Sequence, residues 1–357
     1  MSALSIHAGP KALAHLTSQR LRPGDIRLVP GAAGGPKGLI LHHLDRQLFG
    51  EWLSDDAPDA LHLVGASIGA WRMAAAAMPE VDRAFLDLAE AYILQRYDPE
   101  PPRKAPTPRQ VSSRFAQSLA DFFADRVGQV LSHRRRRLHV LTARGRHVLA
   151  RETSPRRAFG FGGLALGNVL SRRAVGALLE RTVFSTPGEP LPVRLDDLPT
   201  RHVQLDEGNF LPALQASCSI PFVLEAVHDI PGARAGAHWD GGLVDYHLHW
   251  PYAGMSDGLV LYPHFQRQVI PGWLDKGLRW RHGASPMLDN VILLAPDPAW
   301  VKTLPGGKLP DRSDFVRLGF GERVAVWRRA VAESERMAAE WVEWLAQGCP
   351  PDRVKPL

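Results

Sequence analysis

The stretch that decides the fold covers residues 61–79, Leu-His-Leu-Val-Gly-Ala-Ser-Ile-Gly-Ala-Trp-Arg-Met-Ala-Ala-Ala-Ala-Met-Pro. Residues 61–65 are a short apolar run that reads as a buried strand, and residues 68–78 are an alanine-rich helix stopped by Pro79. The same grammar occurs once before it. Residues 26–30 are apolar, a glycine cluster follows, and Leu41, Leu44, Leu48 and Leu53 mark a helix over 38–53. Strands alternating with helices predict an α/β fold whose largely parallel sheet is covered on both faces.

Working outward, residues 81–96 and 110–131 read as further helices around a proline-rich loop at 99–108. Residues 138–142 and 147–150 read as a hairpin turning at Arg144 and Gly145. Residues 291–295 read as a late buried strand. Beyond residue 315, Trp327, Val331, Ala338, Trp341 and Leu345 form an apolar stripe, which predicts one long C-terminal helix packed on the sheet. No repeat or linker divides the 357 residues, so the chain reads as one domain, with a motif-bearing core at 26–245 and an extension at 246–357.

At 45% hydrophobic and 22% charged residues the composition is that of a chain able to bury a core. The net charge of +6 bears on partners and not on fold. Cys218 and Cys349 fit neither a disulfide framework nor a zinc site, and a reducing compartment suits them. The first sixteen residues lack the apolar core of a secretory leader, and no window approaches a membrane span. The expectation is a cytoplasmic protein, soluble or peripheral to a membrane, with no metal and no cofactor.

Chemistry concentrates in three glycine-rich places. Gly65-Ala66-Ser67-Ile68-Gly69 is a G-x-S-x-G between a strand and a helix, the context of a nucleophile elbow. Such a turn lifts the Ser67 hydroxyl to a helix N-terminus, where developing negative charge is favoured. Read alone, the string is equally a small-residue turn. Gly31-Ala32-Ala33-Gly34-Gly35-Pro36-Lys37-Gly38 gathers backbone N–H groups that suit a phosphate or an oxyanion. A P-loop wants Ser or Thr after the lysine, and Gly38 stands there. A dinucleotide fingerprint wants glycine at position 33, has Ala33, and finds its acid only loosely at Asp55 or Asp56. The third place, Trp239-Asp240-Gly241-Gly242, puts a carboxylate on a turn where it would serve as a base for Ser67. His62, His238, His247 and His249 are the other candidate bases.

Gly34-Gly35-Pro36-Lys37-Gly38, Gly65-Ala66-Ser67-Ile68-Gly69 and Asp240-Gly241-Gly242, in that order, resemble the patatin-like phospholipases. Ala216-Ser217-Cys218-Ser219-Ile220-Pro221-Phe222 is similar to that family's small-residue segment ahead of the Asp-Gly loop. The resemblance implies a three-layer α/β/α fold and a Ser-Asp dyad, with Ser67 as nucleophile and Asp240 as general base. It also implies an oxyanion hole from amides of Gly34, Gly35 and Lys37, with Gly38, Gly65, Gly69, Gly241 and Gly242 supporting the loops. Two positions depart from the pattern: Ala33 replaces the first glycine of the loop, and Pro36 has no N–H to donate.

The expected activity is hydrolysis of a lipid acyl ester, of phospholipase A, lysophospholipase or esterase type. The alternative is a catalytically silent protein of the same fold that binds lipid or a partner, and a nucleotide-binding α/β enzyme is a third idea. Between Arg134 and Arg181 lie twelve arginines and two acids, a bias that suits an anionic membrane surface or a merely solvated face. No nucleic-acid motif accompanies the arginines, so nucleic acid is not an expected partner. Trp327, Trp341 and Trp344 suit a lipid interface, but their helical spacing favours core packing.

Overall fold

The computed structural model describes residues 1–53, 59–103, 105–152 and 154–357. The sequence candidates Asp55 and Asp56 lie outside the described residues. Eleven strands among the described residues belong to one sheet: β1 (Leu4–Ala8), β2 (Ile26–Gly31), β3 (Leu61–Gly65), β4 (Arg136–Gly145), β5 (Leu179–Ser185), β6 (Thr200–Gln204), β7 (Val227–His228), β8 (Ala237–Asp240), β9 (Leu259–Pro263), β10 (Val291–Pro296) and β11 (Val354–Pro356). The order along the main path is β11-β1-β10-β9-β2-β3-β4-β5-β6.

The five central strands, β10 to β4 along that path, are all parallel to their neighbours, while β1 and β5 pair antiparallel at either side of them. Every residue of β3, β9 and β10 is buried. That explains why these strands are continuous apolar runs and not alternating ones: helices cover both faces, so neither set of side chains meets water. The result is an α/β fold, three layers deep, around a central and mostly parallel sheet. The extension contributes β9, β10 and β11 to this sheet, so both halves of the chain share it.

Glycines set the closeness of the layers at one point. A Cβ on Gly69 would stand 1.9 Å from Gly31 O, and one on Gly31 would stand 2.6 Å from Gly69 O. The first turn of the helix Ile68–Ala76 therefore lies directly on the end of β2, which seats the β3 turn beside the glycine loop.

Three local expectations are corrected. The hairpin at 138–150 does not form, because Arg144 and Gly145 are laddered to Glu180 and Leu179 of β5 and the chain stays extended there. Residues 38–53 do not make one regular helix: Gly35–Leu41 is a 3₁₀ segment, His42–Arg46 an α-turn and Gln47–Trp52 a wider π-type coil. The helix over 110–131 begins at Pro108 and is interrupted at Ala124, whose φ is +36°.

The C-terminal helical stripe packs on the core as two consecutive helices, Phe320–Glu333 and Glu335–Ala346. Between them Ser334 is fully buried and its hydroxyl donates to Val331 O at 2.7 Å, a local bond that competes with regular helix bonding. Trp327, Trp341 and Trp344 are fully buried, so they belong to the core and not to a lipid interface. Among the described residues no helix is long and apolar enough to cross a membrane.

Candidate active site

Strand register brings the two distant motifs together. β3 lies along β4 with Gly65 opposite Val140, and β8 lies antiparallel along β4 with Asp240 opposite Thr142. Because β5 takes the other edge of β4 from His139 to Gly145, β3 and β8 must share one edge and run toward each other on it. Their C-terminal ends meet two registers apart. The turn after Gly65 then carries Ser67 to the level of Asp240, although the two are far apart in sequence.

A Cβ on Gly241 would stand 2.3 Å from Leu141 O, so the turn after β8 can lie against β4 only without a side chain. The end of β8 is also tied to the small-residue segment, since Asp240 N–H donates to Ser219 O at 2.9 Å.

Ser67 has φ +56° and ψ −130°, a conformation that an L-residue adopts at a cost of roughly 1–3 kcal/mol and that persists where the surroundings enforce it. One enforcing contact is the Ser67 N–H, which donates to the Oγ of fully buried Ser217 at 3.0 Å. Ser67 is the N-cap of the helix Ile68–Ala76 and lines a cavity of about 280 Å³ together with Asp240, Gly34, Lys37 and Arg312. The geometry is that of an elbow: a positive-φ residue between strand and helix, lining the cavity.

Asp240 is 6% exposed and its Oδ1 accepts from Gly242 N–H at 2.7 Å. Burial pushes its carboxyl above the ordinary carboxylate range, against the opposing pull of the Arg312 charge, the Ser67 hydroxyl and the Gly242 N–H. The Ser67 hydroxyl acts on this titration as a hydrogen-bond partner, which puts it beside the carboxyl. A desolvated carboxylate without a contacting cation is a stronger base than an exposed one, as an alcohol nucleophile requires.

None of the four histidines considered as alternative bases lines the cavity. His62 shares a 3.0 Å hydrogen bond with His139, His238 bonds Thr142 at 3.0 Å, His247 bonds Gln268 O, and His249 bonds Ser285 at 2.8 Å. Burial lowers all four, three of them to about 4. Cys218 adjoins the site, but desolvation raises its thiol well above the ordinary range, so it is no competing thiolate.

In the glycine loop, Ala33 N–H donates to Tyr246 O at 2.9 Å, the N–H groups of Gly34 and Gly35 meet no acceptor among the described residues, and Lys37 lies within the 3₁₀ segment Gly35–Leu41. Ala33 therefore needs no glycine-like conformation and supplies no donor. Gly35 has φ +57°, a conformation suited to glycine, and it lies against Arg312. Pro36 falls in the first turn of a 3₁₀ segment, where a missing N–H removes no internal bond. Of these residues Gly34 and Lys37 line the cavity with Ser67 and Gly35 does not, and loop amides at a cavity suit an oxyanion.

A second cavity of about 650 Å³ is also lined by Ser67 and shares Ile220 and Arg312 with the first. Trp71, Tyr92, Phe115, Leu224 and Phe315 make its wall predominantly apolar.

Sequence reasoning missed Ser217 as a support of Ser67, and Lys276 and Arg312 as cavity residues. Ser217 lay inside a quoted motif without a role, whereas Lys276 and Arg312 stand in no pattern that periodicity reveals. The arginine-rich region is not one solvated face: Arg135 and Arg136 are each 3% exposed and Arg181 is fully buried. Arg136 serves instead as a structural clamp, donating to Phe49 O and Leu53 O. No protein-family model matches the chain, and no curated protein is similar enough to count as a relative.

Proposed function

We propose that this chain is a serine acyl hydrolase acting on a lipid ester, of the kind its motifs lead one to expect from their resemblance to the patatin-like phospholipases. The observation that carries the reading is the head-on meeting of β3 and β8 on one edge of β4, which puts Ser67 and Asp240 at one cavity beside the glycine loop.

In the proposed reaction Asp240 takes the Ser67 hydroxyl proton as Oγ attacks the ester carbonyl carbon. The tetrahedral oxyanion accepts from the amides of Gly34, Gly35 and Lys37. Collapse breaks the ester C–O bond, and Asp240 returns its proton to the departing alcohol. Water then attacks the acyl-serine, giving its proton to Asp240, and the second collapse releases the carboxylic acid and restores Ser67. The apolar cavity beside Ser67 offers room for the acyl chain.

The proposed setting is cytoplasmic, where the unpaired Cys218 and Cys349 remain thiols, and peripheral to a membrane. Apolar side chains exposed at the cavity mouths, Val223, Trp273 and Val316, favour contact with a lipid surface.

The test is labelling by a fluorophosphonate together with turnover of a neutral p-nitrophenyl ester. Labelling and turnover that both vanish in Ser67→Ala, with the melting temperature preserved, are the expected result. A wild-type protein that is neither labelled nor active would reduce the site to a silent lipid-binding cleft.

A further inference from the structure

The cavity beside Ser67 carries more positive charge than the hydrolytic steps need. Lys37, Lys276 and Arg312 all line it, and none of the three has a carboxylate within ion-pair distance among the described residues. The one acid on the rim apart from Asp240 is Asp311, which is engaged by Lys308 at 2.7 Å and by the N–H and hydroxyl of Ser313. Three cations therefore converge on one small volume without an ion pair, and the Asp240 charge that pulls on Lys276 is one against three. Burial first, and then the charges of Arg312 and Lys37, push Lys276 down to about 8 against the pull of Asp240, and burial first lowers Lys37 against the pull of Asp311. An arrangement of this kind is unfavourable when empty and becomes favourable when an anion enters.

The cavity's aromatic faces sharpen the choice of headgroup. Tyr246 and Trp273 would suit a quaternary ammonium, but the Lys276 ammonium already lies over both rings, 4.1 Å and 5.6 Å from their centroids. A headgroup bearing its own cation meets a filled site and three like charges. An anionic one meets three donors: the two ammonium groups and the forked guanidinium of Arg312.

Position completes the case. The cationic cavity and the apolar cavity share Ser67, Ile220 and Arg312. A molecule laid across both would put its acyl chain in one, its headgroup in the other, and its ester at the Ser67 hydroxyl.

We propose that the cavity formed by Lys37, Lys276 and Arg312 selects acyl esters whose alcohol portion ends in a net-anionic group, a phosphate monoester or a carboxylate, over neutral and zwitterionic headgroups. The proposal rests on the hydrolase reading for the placement of the ester, and it assigns to the C-terminal extension, through Lys276 and Arg312, the choice of substrate.

The experiment reads binding and not turnover, so its failure is distinct from a failure of the hydrolase reading. Full-length Ser67→Ala protein is titrated by calorimetry, below the aggregation concentration of each lipid, with 1-oleoyl-glycerol 3-phosphate, 1-oleoyl-glycerol, 1-oleoyl-glycerophosphocholine and inorganic phosphate. The phosphate monoester should bind about tenfold tighter than the neutral and zwitterionic lipids, as charge-assisted hydrogen bonds of ordinary strength provide. Inorganic phosphate alone should bind far more weakly than the lipid that carries it. Arg312→Gln and Lys276→Gln, made separately in the same background, should each erase most of that preference, and Arg312→Lys should restore part of it. Both substituted side chains are solvent-exposed, and an unchanged melting temperature confirms the fold in each. Equal affinity for the three lipids, or a preference that survives both glutamine substitutions, would overturn the proposal. So would inorganic phosphate that binds as tightly as the lipid, which would make the site one for a free anion.

Discussion

Asp240 and Asp245 are two buried aspartates five residues apart, and the protein treats them in opposite ways. Asp245 is fully buried and accepts Arg181 Nε at 2.6 Å, a second Arg181 nitrogen at 2.8 Å, Trp250 Nε1 at 2.8 Å and Arg172 Nη2 at 3.5 Å. Arg181 is in turn held by Asp197 at 2.8 Å, and Asp245 and Asp197 raise its already high pKa despite its burial. Asp240 has a neutral N–H donor and a nearby hydroxyl, and the cation that acts on it most, Arg312, makes no ion pair with it. Two buried aspartates thus meet different partners, a guanidinium in one place and neutral donors in the other. The difference is the partner, because a contacting guanidinium offsets desolvation and neutral donors do so only in part.

The comparison breaks most visibly by substitution of each aspartate. Asp240→Asn removes the base and should lower turnover of a neutral ester by about 10²- to 10⁴-fold, the ordinary contribution of general base catalysis. Its stability should hold or rise. A carboxyl whose folded pKa lies above its unfolded value binds more protons when folded, so it lowers stability as pH rises through that window, and asparagine removes the penalty. Asp245→Asn should do the reverse. It leaves Arg181 partly uncompensated and should destabilise the fold by about 3–5 kcal/mol, read from urea unfolding. Were Asp245→Asn well tolerated while Asp240→Asn unfolded the protein, the two roles would have to be exchanged.

A smaller effect sharpens the elbow side of the contrast. Ser217→Ala deprives the Ser67 N–H of its acceptor and leaves a buried donor unsatisfied, which costs about 1–3 kcal/mol. Since the bond helps hold the strained Ser67 backbone, the fluorophosphonate labelling rate should fall several-fold, measured far below the melting transition. An unchanged rate with a lowered melting temperature would make Ser217 a packing residue only.

The two aspartates also mark how far the sequence was legible. Strand, turn and helix at 61–76 could be read because a five-residue apolar run, two glycines and an alanine series are local signals, and β3 and its helix lie there. Asp240 could be singled out by its glycine pair and by resemblance. That β8 should approach β3 end to end could not be read, because it depends on Thr142 pairing with Asp240 and on β5 occupying the opposite edge of β4. The expected turn at Arg144 and Gly145 failed for the same cause, a ladder partner supplied from elsewhere in the chain. Arg312 and Lys276 had no local signature at all, since what matters in them is the absence of a partner, and only the assembled cavity reveals that.

Arg312 tests the comparison from its other side, by making Asp240 still less like Asp245. The hydrolytic reading requires Asp240 ionised, so turnover should fall as pH drops through its raised pKa. Burial raises that value and the Arg312 charge opposes the rise. Arg312→Gln removes the opposing charge, leaves Asp240 protonated to higher pH, and should move the acid limb of the kcat profile upward. A neutral p-nitrophenyl ester is the substrate of choice, because it keeps the profile independent of any headgroup contact with Arg312. High salt should shift the wild-type limb in the same direction, since ions screen the charge of the exposed Arg312. A limb that stays in place would mean that Arg312 does not reach the base. A limb that moves downward would contradict the assignment of Asp240 as the group that must lose its proton.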